Sequence, residues 1–170
     1  MALRRMIRRS LLAAALAAGA LTAGCGFHPL YAEPGVVENL RDIQVVTPDT
    51  REGRILKERL DDALGATGRA DWVLTTTISE LRSGIGARAD DSATRYELAW
   101  IVGWTLSRGS SQAAAGSVTA TVTYAASDQP YAGLIARQDG QDRAAALAAD
   151  MIRSELATRF ADGTLAPAQP

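Results

Sequence analysis

Cys25 and His28 are the only cysteine and the only histidine in the chain, three residues apart near its start. One thiol can form no intramolecular disulfide, and this pair falls short of a zinc site built from several Cys or His ligands. A histidine-dependent triad would have to use His28 itself. No carboxylate pair, Gly-rich phosphate loop or nucleophile–base pairing stands out elsewhere. The inventory points to a protein that is not an enzyme and carries no metal and no soluble cofactor. The reactive group it leaves is the Cys25 thiol, which as a thiolate is a nucleophile for covalent transfer.

The context of that thiol says what it would receive. Arg4, Arg5, Arg8 and Arg9 form a positive start, followed by an apolar stretch from Leu11 to Leu21 dominated by Leu and Ala. Residues 1–24 therefore read as an export signal. The uncharged run Ser10–Gly24 is fifteen residues long, short of the roughly 20 that a spanning helix needs. It ends in Leu21-Thr22-Ala23-Gly24-Cys25, and small residues directly before a lone Cys resemble the lipobox of bacterial lipoproteins. Thr22 departs from that pattern, since Leu is commonest at its position and here stands one place earlier. The resemblance implies a diacylglycerol on the Cys25 sulfur, cleavage before Cys25 and an N-acyl chain on the new terminus. Each buried methylene would add about 0.8 kcal/mol of membrane attachment, so two or three chains make a durable anchor. Gly26, rather than Asp, after the Cys implies release to the outer membrane by resemblance to enterobacterial sorting.

Charge agrees with an exported protein that does not bind nucleic acid. Eighteen basic and nineteen acidic residues nearly cancel, to −1, which excludes a broad basic field. Removing the four arginines of the signal leaves the remainder at −5. Residues 25–165 read as a single domain with 166–170 as a flexible tail, enough chain to bury roughly two-thirds of its unfolded surface.

Periodicity then predicts the elements. Val36–Thr47, with Ile43 and Val45 alternating against Asp42 and Gln44, reads as a first strand. Asp49 and Glu52 fit a capping box, and Ile55, Leu56, Leu60, Ala63 and Leu64 recur at helical spacing, closed by Gly65 or Gly68. A second strand puts Trp72, Leu74, Thr76 and Ile78 on one face; a polar stretch, Ser83–Ser92, separates it from a third. There Tyr96, Leu98, Trp100, Val102, Trp104 and Leu106 share a face. Gly109–Gly116 reads as a small-residue turn, and Ser117–Tyr124 as a fourth strand with Val118, Ala120, Val122 and Tyr124 opposite Thr119, Thr121 and Thr123. Ser127–Pro130 then starts a long helix with a stripe from Leu134 and Ile135 through Ala145, Ala149, Ile152 and Leu156 to Phe160, its continuity tested by Gly140. The expected fold is α+β, in the order strand, helix, three strands, helix: two helices on one four-stranded mixed, mostly antiparallel sheet.

Cys25-Gly26-Phe27-His28-Pro29-Leu30-Tyr31 resembles the start of alphaproteobacterial members of the LPS-assembly lipoprotein family, LptE. Ala93-Thr94-Arg95, Val122-Thr123-Tyr124 and Pro130-Tyr131-Ala132 are similar to family features at the corresponding strands and last helix, so the resemblance covers nearly all of residues 25–161. It implies a lipid-anchored, periplasm-facing protein of the outer membrane. Such a protein plugs the LptD β-barrel translocon, helps it assemble, and assists the placing of lipopolysaccharide in the outer leaflet. A plug for a hydrophilic lumen suits the Thr-rich faces at Thr75, Thr77, Thr119, Thr121 and Thr123, which carry hydroxyls without a charge to desolvate.

Lipopolysaccharide presents phosphates, and arginine matches phosphate through its two-pronged donor geometry. Arg82, Arg88 and Arg95, around the Ser83–Ser92 stretch, are the candidate ligand contacts. Trp100 and Trp104 share a face with Leu98 and Val102 and read as core. Phe27, Leu30 and Tyr31 would pack the anchor segment onto a partner or the body. A different role is also compatible with the sequence: a stand-alone periplasmic lipid-carrying lipoprotein serving an ABC-type exporter.

Overall fold

A computed structural model describes residues 35–66, 71–87 and 93–165. Cys25, His28, the signal, Arg88 and the tail 166–170 lie outside the described residues. The elements in chain order are α1 (Val36–Arg41), β1 (Ile43–Val46), α2 (Arg51–Leu64), β2 (Trp72–Ala87), β3 (Ala93–Arg108), β4 (Ser111–Ala125) and α3 (Pro130–Ala161).

The four strands form one sheet in the order β1-β2-β3-β4. β1 runs parallel to β2 from the Ile43–Trp72 pair to the Val46–Thr75 pair, with α2 as the crossover that a parallel neighbour requires. β2, β3 and β4 are antiparallel. The fold is thus the expected α+β sandwich, with one addition. The stretch read as a single strand from Val36 begins as a six-residue helix, because Val36 and Leu40 lie four apart and both are buried.

Alternation divides the sheet. Leu74, Leu98, Trp100, Val102 and Leu106 show no exposed surface, while the odd-numbered neighbours Thr75, Thr77, Ile101, Thr119 and Thr121 are exposed. Both long helices lie on the even-numbered face. α2 contributes Leu56, Leu60 and Leu64, and α3 contributes Ile152 and Leu156. Ala144, Ala145, Ala148, Ala149 and Ala157 of α3 are also buried, and their small side chains let the helix approach its neighbours closely. Each fully buried Leu or Ile contributes roughly 1.5–3 kcal/mol of transfer free energy.

Helix ends and turns follow local chemistry, with some departures from expectation. The cap of α2 is Thr50, not Asp49: its Oγ1 accepts from the Gly53 N–H at 3.0 Å, while Asp49 pairs with Arg54. Gly65, in the left-handed region at φ 65°, closes the helix. Pro130 opens α3 as expected, with Gln129 at the cap position and no side-chain cap bond. The β3–β4 connection is a two-residue turn at Gly109-Ser110 rather than a loop to Gly116, because Arg108 already pairs with Ser111. Small residues persist into β4 for a packing reason: a Cβ on Gly116 would lie 2.6 Å from the Trp104 ring. Similarly, half of the stretch read as a break after β2 is strand, since pairing runs to Ala87–Ala93. α3 is continuous through Gly140, which is buried where a Cβ would sit 3.1 Å from the Tyr124 ring. Leu134 and Ile135, expected in the core stripe, are 51% and 46% exposed, because the first turns of α3 extend past the packed core.

Gly53 provides a test of this geometry. A Cβ there would collide with the Pro48 carbonyl oxygen, although Ala is the better helix former by about 1 kcal/mol. Gly53→Ala is expected to lower stability by about 1–3 kcal/mol, measured as a shift of the urea midpoint; a rise in the midpoint would contradict the close approach.

Candidate functional site

The two faces of the sheet offer different chemistry. On the covered face, β2 breaks its apolar alternation at Glu80, which stands directly across from Trp100 in the β2–β3 register. Glu80 Oε2 accepts from Trp100 Nε1 at 3.0 Å and from Gln141 Nε2 at 2.8 Å. Its Oε1 accepts from Arg137 Nη2 at 2.7 Å. Gln141, itself buried, accepts through Oε1 from Arg51 Nη1 at 2.7 Å. One carboxylate thus ties together β2, β3 and α3, and the glutamine extends the link to α2.

Burial of Glu80 pushes its pKa up, but the hydrogen bonds from Gln141, Arg137 and Trp100, with the Arg137 charge, outweigh this and hold it below the ordinary carboxylate range. Arg137 is correspondingly raised, chiefly by its bond to Glu80. Both oxygens of Glu80 are engaged by donors, so the cluster fastens elements together and does not present an acid or base to a substrate. Among the described residues, no group of three His, Cys, Asp or Glu side chains could hold a metal. No helix among them is long and apolar enough to cross a membrane.

Among the described residues, no helix lies over the opposite face. Its outward positions on β2, β3 and β4 carry Thr75, Thr77, Ser79, Thr105, Thr119, Thr121 and Thr123 around Ala99, Ile101 and Gly103. Among the described outward positions of these strands, Arg95 and Glu97 are the charged ones, both near the β2–β3 connection. Leu81, 55% exposed, and Ile101, 37% exposed, add apolar area to the hydroxyls. A Cβ on Gly103 would lie 2.7 Å from Thr77 Oγ1, so the face is tight as well as poor in charge.

The candidate arginines are not brought together. Arg82 is on the helix-side face, its guanidinium 4.8 Å from the Tyr96 ring centroid. Arg95 pairs with Ile85 and points to the open face. Trp100 and Trp104 are buried as expected, at 0% and 2% exposure, and Arg159 lies over the Trp104 ring at 5.1 Å. Glu80, Arg137, Gln141 and Arg51 were not legible as a group. Their signals are one acidic residue in the buried phase of β2 and one glutamine in the alanine stripe of α3.

The family model "LptE: Lipopolysaccharide-assembly" matches residues 40–163. This chain belongs to the LptE family, and with it to lipopolysaccharide assembly. The family is one of non-enzymatic lipoproteins. The chain is also 41% identical to a solved putative lipoprotein from Caulobacter crescentus, with a TM-score of 0.66 over 75% of this chain and 96% of that one. A second solved structure, rare lipoprotein B from Shewanella oneidensis, is 19% identical over 71% of this chain and 96% of that one. Its TM-score of 0.55 indicates a shared fold. No curated protein matches this chain in sequence.

The Glu80 cluster carries a pH dependence with a defined sign. A carboxylate held below its ordinary value stabilises the fold fully above about pH 4.3, and that contribution is lost as pH falls through the lowered value. Glu80→Gln is expected to cost about 1–3 kcal/mol at pH 7 and to flatten the acid limb of stability against pH. Urea midpoints across pH 3–7 check this; parallel curves for the two proteins would contradict it.

Proposed function

We propose that this LptE-family chain is an outer-membrane lipoprotein, anchored through acylated Cys25, that assembles with and plugs the LptD β-barrel translocon and assists insertion of lipopolysaccharide into the outer leaflet. It does so without catalysis, as a shaped body. The observation that carries this reading is the open sheet face, broad, rigid and nearly free of charge. A folded plug must contact a polar lumen without stranding buried ions, and hydroxyls meet that requirement because they donate and accept with little desolvation cost. A closed barrel has no free strand edge of its own, so such a contact would be made by side chains across the face.

The described structure places Arg82 and Arg95 on opposite faces of the β2–β3 pair. In this proposal they and Arg88 meet lipopolysaccharide phosphates from either side of that hairpin. Cys25 precedes the span matched by the family model, and its lipidation rests on the sequence preceding it.

Gentle detergent extraction of the tagged full chain tests the reading. The expected result is co-purification of a β-barrel of much larger mass, with acyl chains on Cys25 by mass spectrometry. Cys25→Ala should remove the acyl chains and leave cooperative melting unchanged. A monomer that retains lipid through gel filtration and brings no barrel would overturn the proposal in favour of a stand-alone carrier.

A further inference from the structure

β4 stands at the end of the strand order, and among the described residues its strand neighbour is β3. Its fifteen residues, Ser111–Ala125, include no charge and no proline. Sheet edges are ordinarily blunted by such residues, because unpaired backbone groups are a template for a further strand. The sequence of β4 therefore supplies none of the usual protection. Two side chains of α3 supply it instead. Arg143 Nη2 donates to the Thr123 carbonyl at 3.2 Å, and Arg159 Nη2 donates to the Ala115 carbonyl at 3.4 Å. The two carbonyls are eight residues apart, so by the two-residue period of a strand they lie on the same edge, about 27 Å from one another. Ser117, Thr119 and Thr121 between them aim their backbone groups the same way. Both ends of the edge are thus occupied, and the stretch left for pairing is Ser117–Thr121.

Each guanidinium is aimed by a second contact one helical turn earlier. Arg143 Nε donates to Asp139 Oδ2 at 2.9 Å, and Arg159 Nη2 donates to Glu155 Oε1 at 2.8 Å. Arg159 also lies over the Trp104 ring at 5.1 Å. A planar guanidinium can serve a carboxylate and a carbonyl together in fixed directions, which the point charge of a lysine does not. Both ion pairs are partly exposed, and such pairs add little stability of their own. What they do here is hold two donors against the backbone of a neighbouring element.

The source of the block matters for the sheet. Ser117, Thr119, Thr121 and Thr123 are the outward side chains of β4 and belong to the hydroxyl face. A lysine or glutamate among them would blunt the edge but would also put a charge on that face. Donors delivered from α3 blunt the edge and leave the face as it is. We propose that Arg143 and Arg159 are edge guards. They occupy the edge carbonyls at both ends of β4 and keep an extended segment of another polypeptide from adding to the sheet. The chain can then meet a strand-rich partner by side chains across the open face without being drawn into its strand pairing. That consequence rests on the barrel reading above; the guard itself does not.

Sedimentation of the full chain in mild detergent tests the guard, with other copies of the chain as the source of strands. Arg143→Met with Arg159→Met keeps the apolar stems and removes the donors. This double variant should self-associate about tenfold more tightly than the unmodified chain. Thr119→Lys added to it should reverse the gain by charging the uncovered edge. Arg54→Met with Lys57→Met is the control, since it also removes two cations from exposed ion pairs but on α2, away from the edge. Should the double variant fail to melt cooperatively, each single substitution decides, with a smaller gain expected from either. Association no greater than that of the unmodified chain, a gain matched by the α2 control, or a gain that persists with Thr119→Lys overturns the proposal. Absence of a co-purifying barrel would count against the functional reading and leave the guard standing.

Discussion

The period of two along β2, β3 and β4 is the constraint on which this molecule depends. Leu74, Leu98, Trp100, Val102 and Leu106 reach the helices only because the register pairs Leu74 with Leu106 and Glu80 with Trp100. A slip of one residue would turn the tryptophans to water and bring Thr75 and Thr77 under the helices. The same alternation that builds the core on one side therefore builds a hydroxyl surface, charged only at Arg95 and Glu97, on the other. Core and hydroxyl face are two consequences of one pattern.

Glu80 resolves how the helices are held on that sheet. Leucines and alanines can slide against one another at modest cost, whereas a carboxylate receiving hydrogen bonds from Trp100, Gln141 and Arg137 fixes β2, β3 and α3 in one arrangement. A half-buried charge is tolerated here because both its oxygens accept hydrogen bonds. The cluster also explains why α3 is continuous through Gly140. The residue that weakens the helix locally lets it approach Tyr124, and the polar contacts on either side, Arg137 and Gln141, keep that turn in place.

Much of the fold was legible in the sequence because it rests on short-range periodicity. The buried phase of β3 from Tyr96 to Leu106, the stripe Leu56-Leu60-Leu64 and the initiating Pro130 all follow from spacing alone. The departures have specific physical sources. Val36 and Leu40 satisfy a helical spacing within a segment whose later residues alternate, so α1 merged with β1. The Ala- and Gly-rich start of β4 looks like a turn until the Trp104 ring beside Gly116 is seen. Thr50 displaced Asp49 as a cap by one position. The site was less legible: Glu80, Arg137, Gln141 and Arg51 are far apart in sequence and converge only through the β2–β3 register and the path of α3. Arg82 and Arg95, close in sequence, sit on opposite faces because thirteen positions and a reversal of direction separate them. The open face was readable as a Thr-rich pattern; that none of the described helices covers it required the fold.

The central claim is that the hydroxyl face, and not the helix-covered side, meets the barrel. Its most direct test is photo-crosslinking in intact cells from a probe residue placed at Thr121, compared with one at Arg54 on the exposed side of α2. The account predicts a high-mass adduct containing an outer-membrane barrel from position 121 and none from position 54. Equal adducts from both positions, or an adduct from position 54 alone, would contradict it.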